Sequence, residues 1–77
     1  MPLSAEQKAA IINERLTQFE AEKFQHELNR DVAVAINNSD AIIMAESAIA
    51  QLDAAIAVHE TQLADLTPAT VVDEPSA

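Results

Sequence analysis

Residues 37–66 read NNSDAIIMAESAIAQLDAAIAVHETQLADL, and this stretch decides the fold. From Asp40 onward a seam runs through Ile42, Ala45, Ile49, Leu52, Ile56, His59, Leu63 and Leu66. Its steps alternate three and four residues without a slip, the spacing that keeps one stripe of a helix against a partner helix. The four residues before it, Asn37-Asn38-Ser39-Asp40, are the chain's one strong turn signal. Asn tolerates the left-handed backbone that ends a helix, and Ser39 or Asp40 can cap the next one.

Working outward, a first helix is expected over about 5–36. Ser4 and Gln7 have the spacing of a capping box, and Glu6 lies at the positive helix end. A second helix is expected over about 41–66. Thr67-Pro68 ends it, because proline disfavours a helical residue before it and lacks a donor. Residues 67–77 read as a short acidic tail in which Val71-Val72 could add to a partner as a strand.

Whether the chain turns at 37–40 sets the architecture. An unbroken helix from Ala5 to Leu66 would be about 90 Å long. Four poor helix formers cost only about 2 kcal/mol, too little alone to force a break. Charge placement argues for the turn. The four bases, Lys8, Arg15, Lys23 and Arg30, all lie in the first helix at spacings of seven, eight and seven. Glu46, Asp53 and Glu60 recur every seven in the second. Folding back at 37–40 places position i roughly opposite 76 − i. Arg30 then meets Glu46, Lys23 meets Asp53 and Arg15 meets Glu60, as flanking positions of an antiparallel coiled coil do.

The expected architecture is therefore all-α: an antiparallel helical hairpin (a two-helix coiled coil) over 1–66, packed into a homo-oligomeric bundle or onto a larger assembly, with 67–77 as the tail. The first helix fits less well than the second. Ala9, Ile12, Leu16 and Phe19 form one stripe, and Phe24, Leu28, Val32 and Ala35 form another, rotated round the helix. A phase slip between Phe19 and Phe24 is expected, with Phe24 opposite Leu52 and Leu28 near Ala48 and Ile49.

A hairpin buries one stripe per helix, so Ile11, Val34, Ile36, Ile43, Met44 and Val58 should stay uncovered. The second helix also carries Ile43, Ser47, Ala50, Ala54, Ala57, Thr61 and Ala64 on its far side. Apart from Ile43 these are small, and a neighbouring helix could approach closely there. This stripe and Val71-Val72 are the expected contact residues, for a second copy or another protein.

Composition narrows the function classes. The chain has 77 residues, no Cys and no Gly, and 49% of its residues are hydrophobic with only two aromatics. That is a one-domain helical composition without disulfides or a glycine-built phosphate loop. No signal-peptide layout and no apolar run of about 20 residues is read, so a cytoplasmic or intracellular protein, or one held within an assembled particle, is expected. The net charge is −9, with residues 31–77 carrying eight acids and no base. Direct nucleic-acid binding and anionic membranes are disfavoured, and protein partners, itself first, are favoured.

Signals for chemistry are few. His59 falls on the seam and His26 has acids within a turn, but neither pairs with a second His at metal-ligand spacing. Glu20, Glu22 and Glu27 read as a solvated face. The serines at 4, 39, 47 and 76 read as caps, stripe and tail, without a positioned base. The expectation is a non-enzymatic protein without cofactor or metal: a small helical accessory subunit that self-assembles or docks on a larger complex such as a viral particle. One alternative is an acidic inhibitor mimicking nucleic acid on a basic site. A weaker one is a small-ligand sponge in a bundle cavity.

Overall fold

The computed structural model describes residues 2–66. Two helices, α1 (Ala5–Ala35) and α2 (Ser39–Leu66), pack against each other as an antiparallel hairpin. The tail from residue 67, including Val71 and Val72, lies outside the described residues.

Local chemistry sets each helix end. The Ser4 hydroxyl accepts from the Gln7 N–H at 3.1 Å, and the Gln7 side chain accepts from the Ser4 N–H at 2.9 Å, so the capping box forms as read. At the turn the two asparagines divide the work. Asn37 takes the left-handed backbone (φ 58°). Its N–H donates to the Val34 carbonyl at 3.1 Å, and the Asn38 N–H donates to the Ala33 carbonyl at 2.9 Å. This pair of bonds closes the carbonyl end of α1. Asn38 then caps α2: its side-chain oxygen accepts from the Ala41 N–H at 3.1 Å and its carbonyl from the Ile42 N–H at 3.0 Å. The cap is thus Asn38, not Ser39 or Asp40. The left-handed residue turns the chain so sharply that the next residue already caps. Ser39 opens α2, and Asp40 sits in its first turn, where the helix dipole favours an anion.

The α2 seam is inward throughout: Ala45 and Ile56 are buried, and Ile42, Ile49, Leu52, His59, Leu63 and Leu66 are half-buried. The α1 seam corrects the expected phase slip. It runs through Ala9, Ile12, Leu16, Phe19, Lys23, His26, Arg30 and Ala33, all buried or half-buried, in unbroken steps of three and four. Phe24, Leu28 and Val32 are exposed, so they do not meet Leu52, Ala48 or Ile49. The reason is geometric. The α2 rhythm does not slip, so α1 keeps contact only by holding the same rhythm. Phe24 follows Lys23 by one residue, about 100° round the helix, and is carried outward. Lys23 and Arg30 occupy inward positions because their aliphatic stems cover the seam while their charges reach its edge.

The resulting core is thin. Among the described residues, Ala33, Ala45 and Ile56 are the buried ones. Burying one isoleucine gains about 2–3 kcal/mol, whereas ordering each residue costs about 1 kcal/mol or more of backbone entropy.

Candidate interaction surfaces

The hairpin has two unlike faces, and two contacts define them. On one side, Lys23 Nζ donates to Asp53 Oδ1 at 2.8 Å. Lys23 is held protonated above the ordinary lysine range, first by this hydrogen bond and then by the Asp53 charge, with Glu27 and Glu20 adding to it. Partial burial of Lys23 opposes the shift. On the other side, Arg15 Nε donates to His59 Nε2 at 3.0 Å. The His59 Nδ1 lies 2.8 Å from the Ala55 carbonyl, so Nδ1 carries the ring proton and Nε2 is free to accept. The ring meets Phe19 edge-on at 4.8 Å, and the Arg15 guanidinium sits 5.5 Å from the Phe19 centroid.

These contacts correct the expected layout of the bases. Lys23–Asp53 is made at the expected register. Arg15 pairs with His59 rather than Glu60, and Arg30 is nearest Asp31, at 3.9 Å, rather than Glu46. A seven-residue step returns to almost the same stripe of a helix, but an eight-residue step turns about 80°. The step from Arg15 to Lys23 therefore carries the bases across the seam. His59 and His26 are both half-buried at the seam.

Heptad counting extends each face. With Lys23 and Arg30 lie Glu20, Glu27, Glu46, Asp53 and Glu60, an acid-rich side. With Arg15 lie Lys8, Glu22 and Asn29 on α1, and Met44, Gln51, Val58 and Asp65 on α2, each series at steps of seven. This second face is charge-balanced. It contains surface depressions between the helices, one bounded by Ile12, Arg15, Val58, His59 and Gln62 and another by His26, Asn29, Met44 and Ala48. A third, at the open end, is bounded by Leu3, Ile11, Gln62 and Leu66.

The small-residue stripe of α2, from Ile43 through Ser47, Ala50, Ala54, Ala57 and Thr61 to Ala64, is exposed along its whole length. All six residues expected to be uncovered are so, and Leu3, Phe24, Leu28 and Val32 join them. Among the described residues no three His, Asp or Glu side chains gather as a metal site would need.

One reading of the sequence needs correcting. α2 is long and apolar enough, by length and composition, to cross a membrane. Glu46 and Asp53 interrupt its apolar run and hide this from a count of uninterrupted residues. Each carboxylate would cost about 2.5–3.5 kcal/mol at a bilayer centre, and Asp53 is already engaged by Lys23 of the neighbouring helix.

By fold the chain is an all-α helical hairpin. No protein-family model matches it, and neither a curated protein nor a solved structure does.

Proposed function

We propose that this hairpin is a non-catalytic interaction subunit, whose uncovered helix faces associate with a second copy and dock onto a larger protein assembly such as a viral particle. The observation that carries this reading is the imbalance of its apolar surface. Among the described residues three are buried, while ten large apolar residues are exposed, up to 72% for Met44. Contiguous apolar surface beyond a few hundred Å² marks an interaction site. The small stripe from Ile43 to Ala64 suits close approach by another helix, and we assign it to the larger partner. Neither nucleic acid, a membrane, a metal nor a cofactor enters this function, and the setting is intracellular.

The competing function is an acidic inhibitor on the basic site of a nucleic-acid-handling protein, favoured by the −9 charge. Salt separates the two. An acidic mimic loses its partner steeply as salt rises, whereas apolar association between like-charged copies strengthens when salt screens their repulsion. Sedimentation equilibrium of the full chain at 50 mM and 500 mM salt tests this. A mass of two or more chains, held or increased at the higher salt, supports the interaction subunit. A chain that is monomeric at both and is captured only by basic proteins at low salt rejects it.

A further inference from the structure

We infer that the charge-balanced face is the self-association surface: two copies pack this face to face, antiparallel, as a four-helix bundle with α1 over α1 and α2 over α2. The inference deepens the interaction reading above and rests on it.

Three observations select this face. The first is charge. Each copy carries −9, so a second copy is repelled wherever carboxylates face carboxylates. The Lys23 side presents five carboxylates against two bases, whereas the Arg15 side presents Lys8 and Arg15 against Glu22 and Asp65.

The second is self-complementarity. Arg15 and Glu22 lie seven apart on one stripe of α1. A two-fold axis crossing α1 midway between them, beside Gln18, sets Arg15 of each copy level with Glu22 of the other. Opposite charges spaced symmetrically about such an axis are what an isologous contact needs. Val58 is at the same level on α2, since the neighbouring His59 ring touches Phe19. The axis therefore brings Val58 against its own copy, one apolar side chain facing another. Val58 is 56% exposed in the single hairpin.

The third is area. With the axis beside Gln18 and Val58, α1 overlaps its copy over about 40 Å and α2 over about 25 Å, a footprint of roughly 600 Å² at a helix spacing of about 9 Å. That is the lower end of a standard interface, which buries about 600–1,000 Å² on each partner. The depression bounded by Ile12, Arg15, Val58, His59 and Gln62 is a groove beside which Val58 of the second copy would seat. Phe24 and Leu28 on α1 and the small stripe of α2 point away from this face and remain free for the larger partner.

The test uses the full chain in sedimentation velocity at 50 µM, with helix content followed by circular dichroism. Wild type should be a dimer. Val58→Glu should weaken it at least tenfold, while Leu28→Glu and Ala54→Glu leave it unchanged. The chain has no Cys, so a single introduced Cys can form a disulfide only between copies. Val58→Cys should cross-link on mild oxidation and Ala54→Cys should not, which decides the matter even where a glutamate variant fails to fold. Dimers lost in Leu28→Glu or Ala54→Glu but kept in Val58→Glu, or cross-linked through residue 54 rather than 58, would assign the contact to another face and leave the interaction reading standing. A folded wild-type monomer at 50 µM in both low and high salt overturns the face-to-face dimer and the self-assembly it rests on together.

Discussion

Lys23 and Asp53 join the middles of the two helices through an ion pair of 2.8 Å, and Lys23 makes it from an inward position of the seam. The pair marks the hairpin register more than it adds stability, since half-exposed pairs contribute little. Its pH dependence is nevertheless defined in sign. Lys23 is held protonated above its ordinary value of 10.5 by the hydrogen bond to Asp53 and the charge behind it. A group with a raised folded value contributes fully below its unfolded value, and the contribution is lost as pH rises through the folded one. Wild type should therefore melt above Asp53→Asn at pH 9, and the gap should narrow as the pH rises above the ordinary lysine value. A gap that widens with alkalinity would mean that Lys23 is not the partner.

Asn37 and Asn38 have separable roles. Asn37 holds a positive φ, which most side chains adopt only at a cost of about 1 kcal/mol or more. Asn37→Gly should be neutral or slightly stabilising, while Asn37→Val should lower stability by about 1–2 kcal/mol. Asn38→Ala removes the cap on Ala41 and should cost about 1 kcal/mol. Chemical denaturation of the three variants checks the order.

Two apolar residues of similar appearance in the sequence should differ sharply. Among the described residues Ile56 is the largest buried side chain, at 8% exposure, and Ile56→Ala should cost about 2–4 kcal/mol. Phe24 is 58% exposed, and Phe24→Ala should stay within about 0.5 kcal/mol. Equal losses at both sites would restore the stripe through Phe24 as part of the core.

His59 interrupts an otherwise apolar seam. Its ring nitrogens are partnered by Arg15 and the Ala55 carbonyl, both within reach of water. Replacing it with Leu adds apolar contact to Phe19 and Leu16, and Arg15 can return to solvent. His59→Leu should raise stability by about 1 kcal/mol, measured by denaturation at fixed protein concentration.

Much of the hairpin was legible in the sequence, and the exceptions share a cause. The α2 seam could be read because each of its positions except His59 is apolar, so composition and contact coincide. The turn could be read because Asn-Asn carries its own backbone chemistry, though which residue caps depended on which one turned left-handed. The α1 seam could not be read by apolarity. Lys23, His26 and Arg30 fill its inward positions, and Phe24, Leu28 and Val32 lie outside, so following hydrophobic residues led to the wrong stripe. Following the rhythm of three and four past polar residues would have found it. The two faces were hidden for a related reason. The eight-residue step between Arg15 and Lys23 was visible, but its consequence, bases on opposite sides of the seam, appears only once the seam is fixed. The tail with Val71 and Val72 falls outside the described residues.

The central claim is that a core this thin is completed by association, so folding and self-association are coupled. Thermal unfolding followed by circular dichroism from 1 to 100 µM tests it most directly. Coupling predicts a melting temperature that rises across this range by several degrees, because association draws the folded state forward by mass action. A cooperative transition at the same temperature throughout would show that the single hairpin is stable alone, and would contradict the claim.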